Sequence, residues 1–202
     1  MPKLTPRQRR REKTKQAILE TAQELISEKG PEGISIREIA RRIDYSPAGL
    51  YKYFNSKDAI LEAVCTDGMQ ELSAAFHEVA AGLSSAQRLI EYGLIYADFA
   101  RRQPEKFMLM FNTLPSTRTS LEQPVEPDSP YQILLDTVRA GLTAGELKKT
   151  GDCAAESIAF SLWALMHGRA MLELTFLRDF EMDFDLVHRW AMEIFVNGLQ
   201  VS

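Results

Sequence analysis

The chain has 202 residues, 45% of them hydrophobic, and a formal net charge of −4, which leaves room for a small module joined to a larger domain. No stretch approaches the ~18 consecutive apolar residues of a membrane helix and no apolar segment follows the basic N-terminus, so we expect neither a membrane protein nor a secretory signal. Residues 1–60 hold 13 basic and 8 acidic side chains, whereas residues 61–202 hold 11 and 20, so only one end is suited to approach phosphates.

Apolar periodicity predicts about nine helices and no strand, which makes the fold all-α. The first helix covers about residues 9–29, and Gly30-Pro31 stops it. A basic segment precedes and enters this helix, and it contains Arg7, Arg9, Arg10 and Arg11.

Two short helix signals follow with almost no linker between them. Ser35 and Glu38 have the spacing of a capping box that begins the first, and Asp44 suits the left-handed backbone of a tight turn after it. Ser46 and Pro47 begin the second as N-cap and first-turn residue. A pair of short capped helices after a basic segment is typical of a helix-turn-helix, which lays its second helix in the DNA major groove.

The same region carries a more specific pattern. An R-E-I-A helix at residues 37–40 is followed, across a turn, by Gly49, Tyr51, Phe54, Lys57 and Leu61 at near-matching spacing. This pattern resembles the DNA-binding region of the tetracycline-repressor-type (TetR) family of bacterial regulators. The chain departs from it at two positions, with Asp44 where the family often has glycine and Tyr45 where it has a smaller apolar residue.

We predict the DNA contacts from position and from the resemblance. Lys57 begins a helix, where its ammonium group and the helix amides together suit a phosphate, and the resemblance implies phosphate contacts by Lys57, Tyr51 and Tyr53. Ala48 suits a thymine methyl group, and Gly49 would let the backbone come close to the bases. The predicted contacts are Arg9, Arg10, Arg11, Ser35, Arg37, Ser46, Pro47, Ala48, Gly49, Tyr51, Lys52, Tyr53 and Lys57.

The basic segment has two readings that the sequence leaves open. Few polar side chains on the second helix can read bases, so the arginines from Arg7 to Arg11 could supply specificity by entering an adjacent minor groove. Alternatively, they form a disordered tail that gives only non-specific charge attraction.

The rest of the chain is predicted to be helical. We divide the chain into a helix-turn-helix domain with a basic N-terminal arm, residues 1–56, and a helical regulatory and dimerisation domain, residues 57–202. Prolines and small polar residues predict a loop over about 113–128. The later helices are expected at about 57–81, 84–103, 104–112, 129–144, 152–177 and 184–200.

Two C-terminal helices carry a possible dimer interface. Residues 162–168 resemble a W-x-x-x-H-G segment found in one subgroup of the same family, and the family implies that two helices from each subunit form a four-helix interface. Small residues on one helix allow close approach, and the last helix presents more apolar surface than one core contact requires. The predicted dimerisation residues are Ala164, Gly168, Leu172, Leu186, Trp190, Ile194 and Phe195.

Aromatic residues in the middle helices are numerous enough to line a ligand cavity, which the resemblance also implies. Ordinary helical core is the alternative explanation for such a set. The predicted lining residues are Tyr92, Tyr96, Phe99, Phe107, Phe111, Phe160, Trp163 and His167. The ligand itself is not identified by the sequence.

Neither the cysteines nor the histidines have the spacing of a metal or catalytic site, so we predict no metal, no cofactor and no enzyme. Cys65 and Cys153 are isolated and suit a reducing, cytoplasmic location. A helical protein-interaction module would explain the acidic body but not the capped basic motif. The resemblance implies a homodimeric, ligand-responsive regulator, most often a repressor, that binds a near-palindromic double-stranded DNA operator.

Overall fold

The computed structural model describes residues 5–112, 125–148 and 154–200. Within these ranges the backbone forms nine α-helices, a 3₁₀ turn over Pro31–Gly33 and an isolated bridge between Leu147 and Gln200, which confirms the all-α prediction. The helices are α1 (Pro6–Lys29), α2 (Ile36–Arg42), α3 (Pro47–Leu50), α4 (Lys57–His77), α5 (Ser85–Arg102), α6 (Pro104–Asn112), α7 (Pro130–Thr143), α8 (Ala155–Leu174) and α9 (Phe184–Leu199).

Helix α1 begins earlier than the sequence predicts. Thr5 caps it, because its side chain accepts from the Gln8 amide while the Gln8 side chain accepts from the Thr5 amide. The arginines from Arg7 to Arg11 therefore lie in the first two turns of a helix. The alternative of a disordered tail is wrong for these residues, because the cap extends the helix to Pro6, and their entry into a minor groove stays a prediction.

Helix α8 is shorter than predicted at both ends. It begins at Ala155, and the predicted start at Asp152 lies outside the described residues. It ends at Leu174 because Thr175 leaves the helical conformation, with φ −118° and ψ −86°. Most of the predicted loop at 113–128 also lies outside the described residues, as does Cys153.

The chain divides by its internal contacts into two compact units, Met1–Gly68 with Glu105–Pro115 and Met69–Pro104 with Ser116–Ser202. The boundary lies within α4, after Gly68, whereas the sequence analysis divided the chain after residue 56. Helix α6 joins the first unit although it follows α5 in the chain. The side chains of the first unit explain this placement.

Helix α6 packs tightly against α4 in the first unit. Lys106, which is only 4% exposed, places its ammonium group 3.0 Å from the Asp67 carboxylate, and Gln23 of α1 donates to the same carboxylate at 2.6 Å. A Cβ atom on Gly68 would lie 2.5 Å from the sulfur of Met110. These contacts join α6 to α1 and α4 through a charge pair and a close helix approach.

The second unit is organised around α5, which packs against α7, α8 and α9. Tyr92 is fully buried and stacks on Phe76 with ring centroids 4.4 Å apart. A polar cluster joins α8 to α9: His188, 4% exposed, lies 2.6 Å from the Glu173 carboxylate and accepts from the Arg169 guanidinium at 3.1 Å. Burial lowers the pKa of His188, so the ring is neutral at neutral pH.

Candidate nucleic-acid interface

The predicted caps and turn of the helix-turn-helix are confirmed. The Ser35 hydroxyl accepts from the Glu38 amide at 3.2 Å, and the Ser46 hydroxyl accepts from the Gly49 amide at 3.0 Å. Asp44 adopts φ 53°, the left-handed conformation expected of the turn. The four residues of α3 are therefore positioned by a cap at one end and a tight turn before it, since a helix this short is not stable alone.

A network of ion pairs fixes α2 on α1. The Glu38 carboxylate accepts two hydrogen bonds from Arg41, at 2.8 and 3.0 Å, in place of the predicted return contact of a capping box. These bonds lower the pKa of Glu38 to about 2. Arg42 donates to the Glu28 carboxylate at 2.9 Å, which connects the two helices.

Helix α3 and the turn after it have one buried side and one open side. Leu50 and Phe54 are buried, as predicted for the inward pair. Tyr51 is 54% exposed. Most predicted contacts on this segment are exposed, namely Ser46, Pro47, Ala48, Tyr51 and Lys52, whereas Gly49 and Tyr53 are half-buried.

Gly49 is covered by a side chain. The ring of Tyr45 lies over it, with two ring carbons 2.8 Å from the position that a Cβ atom on Gly49 would occupy. Tyr45 is 43% exposed and meets Tyr53 edge-on, with ring centroids 6.3 Å apart. Tyr45 is not among the contacts predicted from the sequence. The i, i+4 and i, i+8 spacing of Tyr45, Gly49 and Tyr53 is the signal that could have grouped them.

The predicted basic contacts lie on three elements. On α1, Arg9, Arg10 and Arg11 are exposed, and Arg11 donates to the Lys52 carbonyl at 3.2 Å while its guanidinium lies 5.3 Å from the Tyr53 ring centre. Lys57 at the start of α4 lies 3.6 Å from the Glu32 carboxylate. Ser35 and Arg37 are exposed at the start of α2.

Two helices of the second unit carry an exposed apolar face. On α9, Trp190 is 53% exposed and Ile194 is 76% exposed. The predicted interface residues Ala164, Leu172, Leu186, Trp190 and Ile194 are all exposed, and Gly168 and Phe195 are half-buried. Phe160, predicted to line a cavity, is 50% exposed and precedes Ala164, Gly168 and Leu172 at four-residue spacing, so it continues this face of α8.

The remaining predicted lining residues divide into three groups. Tyr96 and His167 form one of them, because the Tyr96 hydroxyl and the His167 Nδ1 are 2.9 Å apart. Desolvation lowers the pKa of His167 and raises that of Tyr96, so both groups are neutral at neutral pH. Trp163 on the same helix packs on Tyr131, with ring centroids 4.8 Å apart.

The other lining residues lie elsewhere. Tyr92 is fully buried in the core, where its hydroxyl accepts a hydrogen bond from Arg88 at 2.8 Å. Phe99 is also buried. Phe107 and Phe111, 4.9 Å apart, belong to the first unit and not to the second. The eight residues therefore do not form one group within a single unit.

Metal-binding clusters and membrane-spanning helices are both absent from the described ranges. No group of three or more histidine, cysteine or acidic side chains there is arranged to hold a metal ion. No helix in the same ranges is both long and apolar enough to cross a bilayer.

Sequence comparison identifies both parts of the chain. Residues 18–64 match the model of the tetR family of bacterial regulatory proteins, and residues 89–194 match that of the tetracyclin repressor-like C-terminal domain. The regulator UidR of Escherichia coli (strain K12) is 31% identical over 78 residues, or 39% of this chain and 40% of UidR. The repressor Rv3405c of Mycobacterium tuberculosis is 31% identical over 87 residues, or 43% of this chain and 46% of that protein.

The matched segments span less than half the length of these two curated relatives. Structural similarity extends further. A protein of unknown function from Rhodococcus sp. RHA1 superposes with a TM-score of 0.76 at 25% identity, covering 93% of this chain and 95% of that one. The C-terminal model alone covers more than half of this chain. The chain therefore belongs to the tetR family of bacterial regulatory proteins, a family of transcriptional regulators and not of enzymes.

Proposed function

We propose that this protein is a cytoplasmic, homodimeric repressor that binds a near-palindromic double-stranded DNA operator through α3 and releases it when a small molecule binds the second unit. The observation that carries the proposal is the capped α3, because the exposed residues on either side of it, Ser46, Tyr51 and Lys52, present hydroxyl and ammonium groups beside the arginines of α1. Rv3405c, which is similar to 43% of this chain, is named a repressor, which supports repression as the mode of action.

The charge of the first unit supports DNA as its partner. We propose that the phosphate backbone is held by the side chains of Arg9, Arg10, Arg11, Ser35, Arg37, Tyr51, Lys52, Tyr53 and Lys57. The residues that we propose face the bases are Ser46, Pro47 and Ala48. Because Tyr45 covers Gly49, we assign no close backbone approach to that residue. A duplex with several phosphate contacts should bind in a strongly salt-dependent manner.

The exposed apolar face of α8 and α9 supports the dimer. It contains Phe160, Leu172, Leu186, Trp190 and Ile194, and the small side chains of Ala164 and Gly168 leave room for a partner helix. A second copy of the chain would present the same face, which is self-complementary for an isologous interface. Two copies would also present two α3 helices, which explains the expected symmetry of the operator.

The proposed effector site is smaller than the sequence analysis predicted. We retain Tyr96, Phe99, Trp163 and His167, because they lie on α5 and α8 and because Tyr96 and His167 form a neutral hydrogen-bonding pair among apolar groups. We also propose membership of the W-x-x-x-H-G subgroup, whose motif contributes Trp163 and His167. An effector with an apolar body and one neutral polar group would suit this chemistry.

Selection of bound sequences from random duplex DNA tests the proposal. The full chain should enrich one near-palindromic sequence, bind it as a dimer and lose affinity steeply as the salt concentration rises. A screen for compounds that release the selected duplex would then test the effector. Failure to enrich any sequence, together with no salt-dependent DNA association, would contradict the proposal and favour a protein-interaction module.

A further inference from the structure

Tyr45 lies between α2 and α3, at the position where this chain departs from the family pattern. Its amide donates to the Ala40 carbonyl at 2.8 Å, immediately after the left-handed residue Asp44. The backbone of Tyr45 is therefore fixed by the turn, while its side chain remains 43% exposed. A smaller apolar residue at this position could not extend across α3 in the same way.

The Tyr45 ring packs against α3 in the space that is open because Gly49 has no side chain. A Cβ atom at Gly49 would lie 2.8 Å from two ring carbons, which is closer than non-bonded atoms approach, so any other residue there would displace the ring. Gly49 has φ outside the left-handed region, and its backbone conformation is open to any residue. Glycine is therefore required at position 49 because the Tyr45 ring needs the space, and not because of the backbone conformation.

Basic side chains of α1 lie close to the pair of rings formed by Tyr45 and Tyr53. Tyr45 contacts Tyr53, whose ring lies 5.3 Å from the Arg11 guanidinium, and Arg10 is near enough to act electrostatically on the Tyr45 hydroxyl. The interaction with the Tyr53 hydroxyl raises the pKa of Tyr45 above its ordinary value of 10.0. Tyr45 therefore keeps its proton at neutral pH and is the hydrogen-bond donor of the pair, so a bond from Tyr45 to a phosphate would replace its bond to the Tyr53 oxygen.

We propose that Tyr45 is a further DNA-contacting residue, whose hydroxyl donates to a backbone phosphate beside α3. A protonated hydroxyl near the Arg10 guanidinium suits an anion better than a base edge, because the cation attracts the phosphate and the hydroxyl bonds to it. Gly49 and Tyr53 are positioning residues in this arrangement. Gly49 leaves space for the Tyr45 ring, and Tyr53 packs against the edge of that ring. The inference rests on the proposed function, since it requires that the first unit binds DNA.

Tyr45→Phe tests the hydroxyl, because it retains the ring over Gly49. On the selected duplex it should lower affinity about tenfold, the expected effect of losing a hydrogen bond to a charged group. Single base-pair changes should rank in the same order for the variant and the parent, since a phosphate carries no sequence. Tyr131→Phe in the second unit is the matched control and should bind like the parent chain.

A neutral methylphosphonate placed at each backbone position of the duplex identifies the phosphate. At one position per half-site the substitution should weaken the parent chain but add little to Tyr45→Phe, so that the two changes are non-additive there. Unchanged affinity of Tyr45→Phe, or additive effects at every position, would overturn the proposal. A loss confined to one base pair would overturn it too, because it would assign the hydroxyl to a base edge.

A second double-mutant cycle tests the place of the ring. Gly49→Ala should weaken DNA binding several-fold in the parent chain, because its Cβ displaces Tyr45, and should cost little more in a Tyr45→Val background. Equal losses in both backgrounds would mean that Gly49 itself approaches DNA, which would overturn the inference. A parent chain that selects no sequence would refute the proposed function, whereas one that selects a sequence insensitive to Tyr45→Phe would refute only this inference.

Discussion

The two units hold their functional surfaces in different ways. In the first unit, α3 is four residues long and depends on local devices, namely the Ser46 cap, the left-handed Asp44 and the buried Leu50. In the second unit, α8 and α9 are long helices that present an exposed apolar face. The proposed DNA-binding surface is thus specified by residues that are neighbours in sequence, whereas the proposed dimer surface is specified by apolar side chains that remain exposed.

The largest expected effect comes from breaking the second-unit surface. Trp190→Glu combined with Ile194→Glu places two charges on the exposed apolar face of α9, so the dimer should dissociate to monomers at micromolar concentration. Analytical ultracentrifugation measures this directly. Ala140→Glu, at an exposed position on α7, is the control. A double variant that sediments as the parent dimer would show that the interface lies elsewhere.

The next effect concerns the inner side of α3. Leu50 is fully buried, so Leu50→Ala should lower the free energy of unfolding by about 3 kcal/mol, from lost burial and the cavity left behind. Ile194→Ala, on the exposed face of α9, should change it by less than about 0.5 kcal/mol in the monomer. Urea unfolding of both variants in a Trp190→Glu background, at a concentration where ultracentrifugation shows monomers, gives the comparison. Similar losses for the two would contradict the assigned burial.

A smaller effect is expected on the outer side of the same segment. Lys57→Glu with Tyr51→Phe should weaken operator binding at least about tenfold and reduce its salt dependence, since a phosphate contact is replaced by repulsion. Fluorescence anisotropy over a range of salt concentrations measures both quantities. Lys148→Glu, an exposed lysine of the second unit, controls for the change in net charge. Equal affinity of the parent and the double variant would exclude these two residues from the interface.

The smallest expected effect is a difference between the two units in how their stability depends on pH. Burial holds the pKa of His188 below its ordinary 6.5, so its contribution to stability is present above pH 6.5 and is lost as the pH falls through the lowered pKa. Arg41 lowers the pKa of Glu38 from 4.5 to about 2, so that contribution is present above pH 4.5 and is lost between pH 4.5 and 2. The second unit should therefore weaken first on acidification.

Methyl NMR signals from Leu162 and Leu50 report the second and first unit separately during an acid titration in moderate urea. His188→Gln should flatten the pH dependence of the second unit below pH 6.5, and Glu38→Gln that of the first below pH 4.5. Simultaneous loss of both signals with no change in either variant would contradict this assignment.

The parts of the structure that the sequence predicted are those set by local chemistry. Caps at Ser35 and Ser46, the turn at Asp44 and the inward pair Leu50 and Phe54 each depend on residues within four positions. The predicted bounds of α6 were also correct. Its membership of the first unit was not foreseen, because it depends on a charge pair between residues 39 positions apart.

The same distinction explains the site residues. Tyr45 was missed because its ring acts on Gly49 and Tyr53 in three dimensions, while in the sequence it only departs from a pattern. Phe160 was assigned to a cavity from residue type, although its spacing with Ala164 and Leu172 already placed it on the outer face of α8. An aromatic side chain suits either a cavity or an interface, and the helix face on which it lies distinguishes the two.

The placement of α6 has a practical consequence for anyone exchanging parts between regulators of this kind. A fragment ending at Gly68 would discard Lys106 and Met110, leave Asp67 without its cation and uncover the apolar surface of α4 that Met110 shields. Such a fragment should aggregate, and a chimera joined at Gly68 should aggregate for the same reason. A graft that carries Pro104–Asn112 along with the N-terminal helices would retain the missing support.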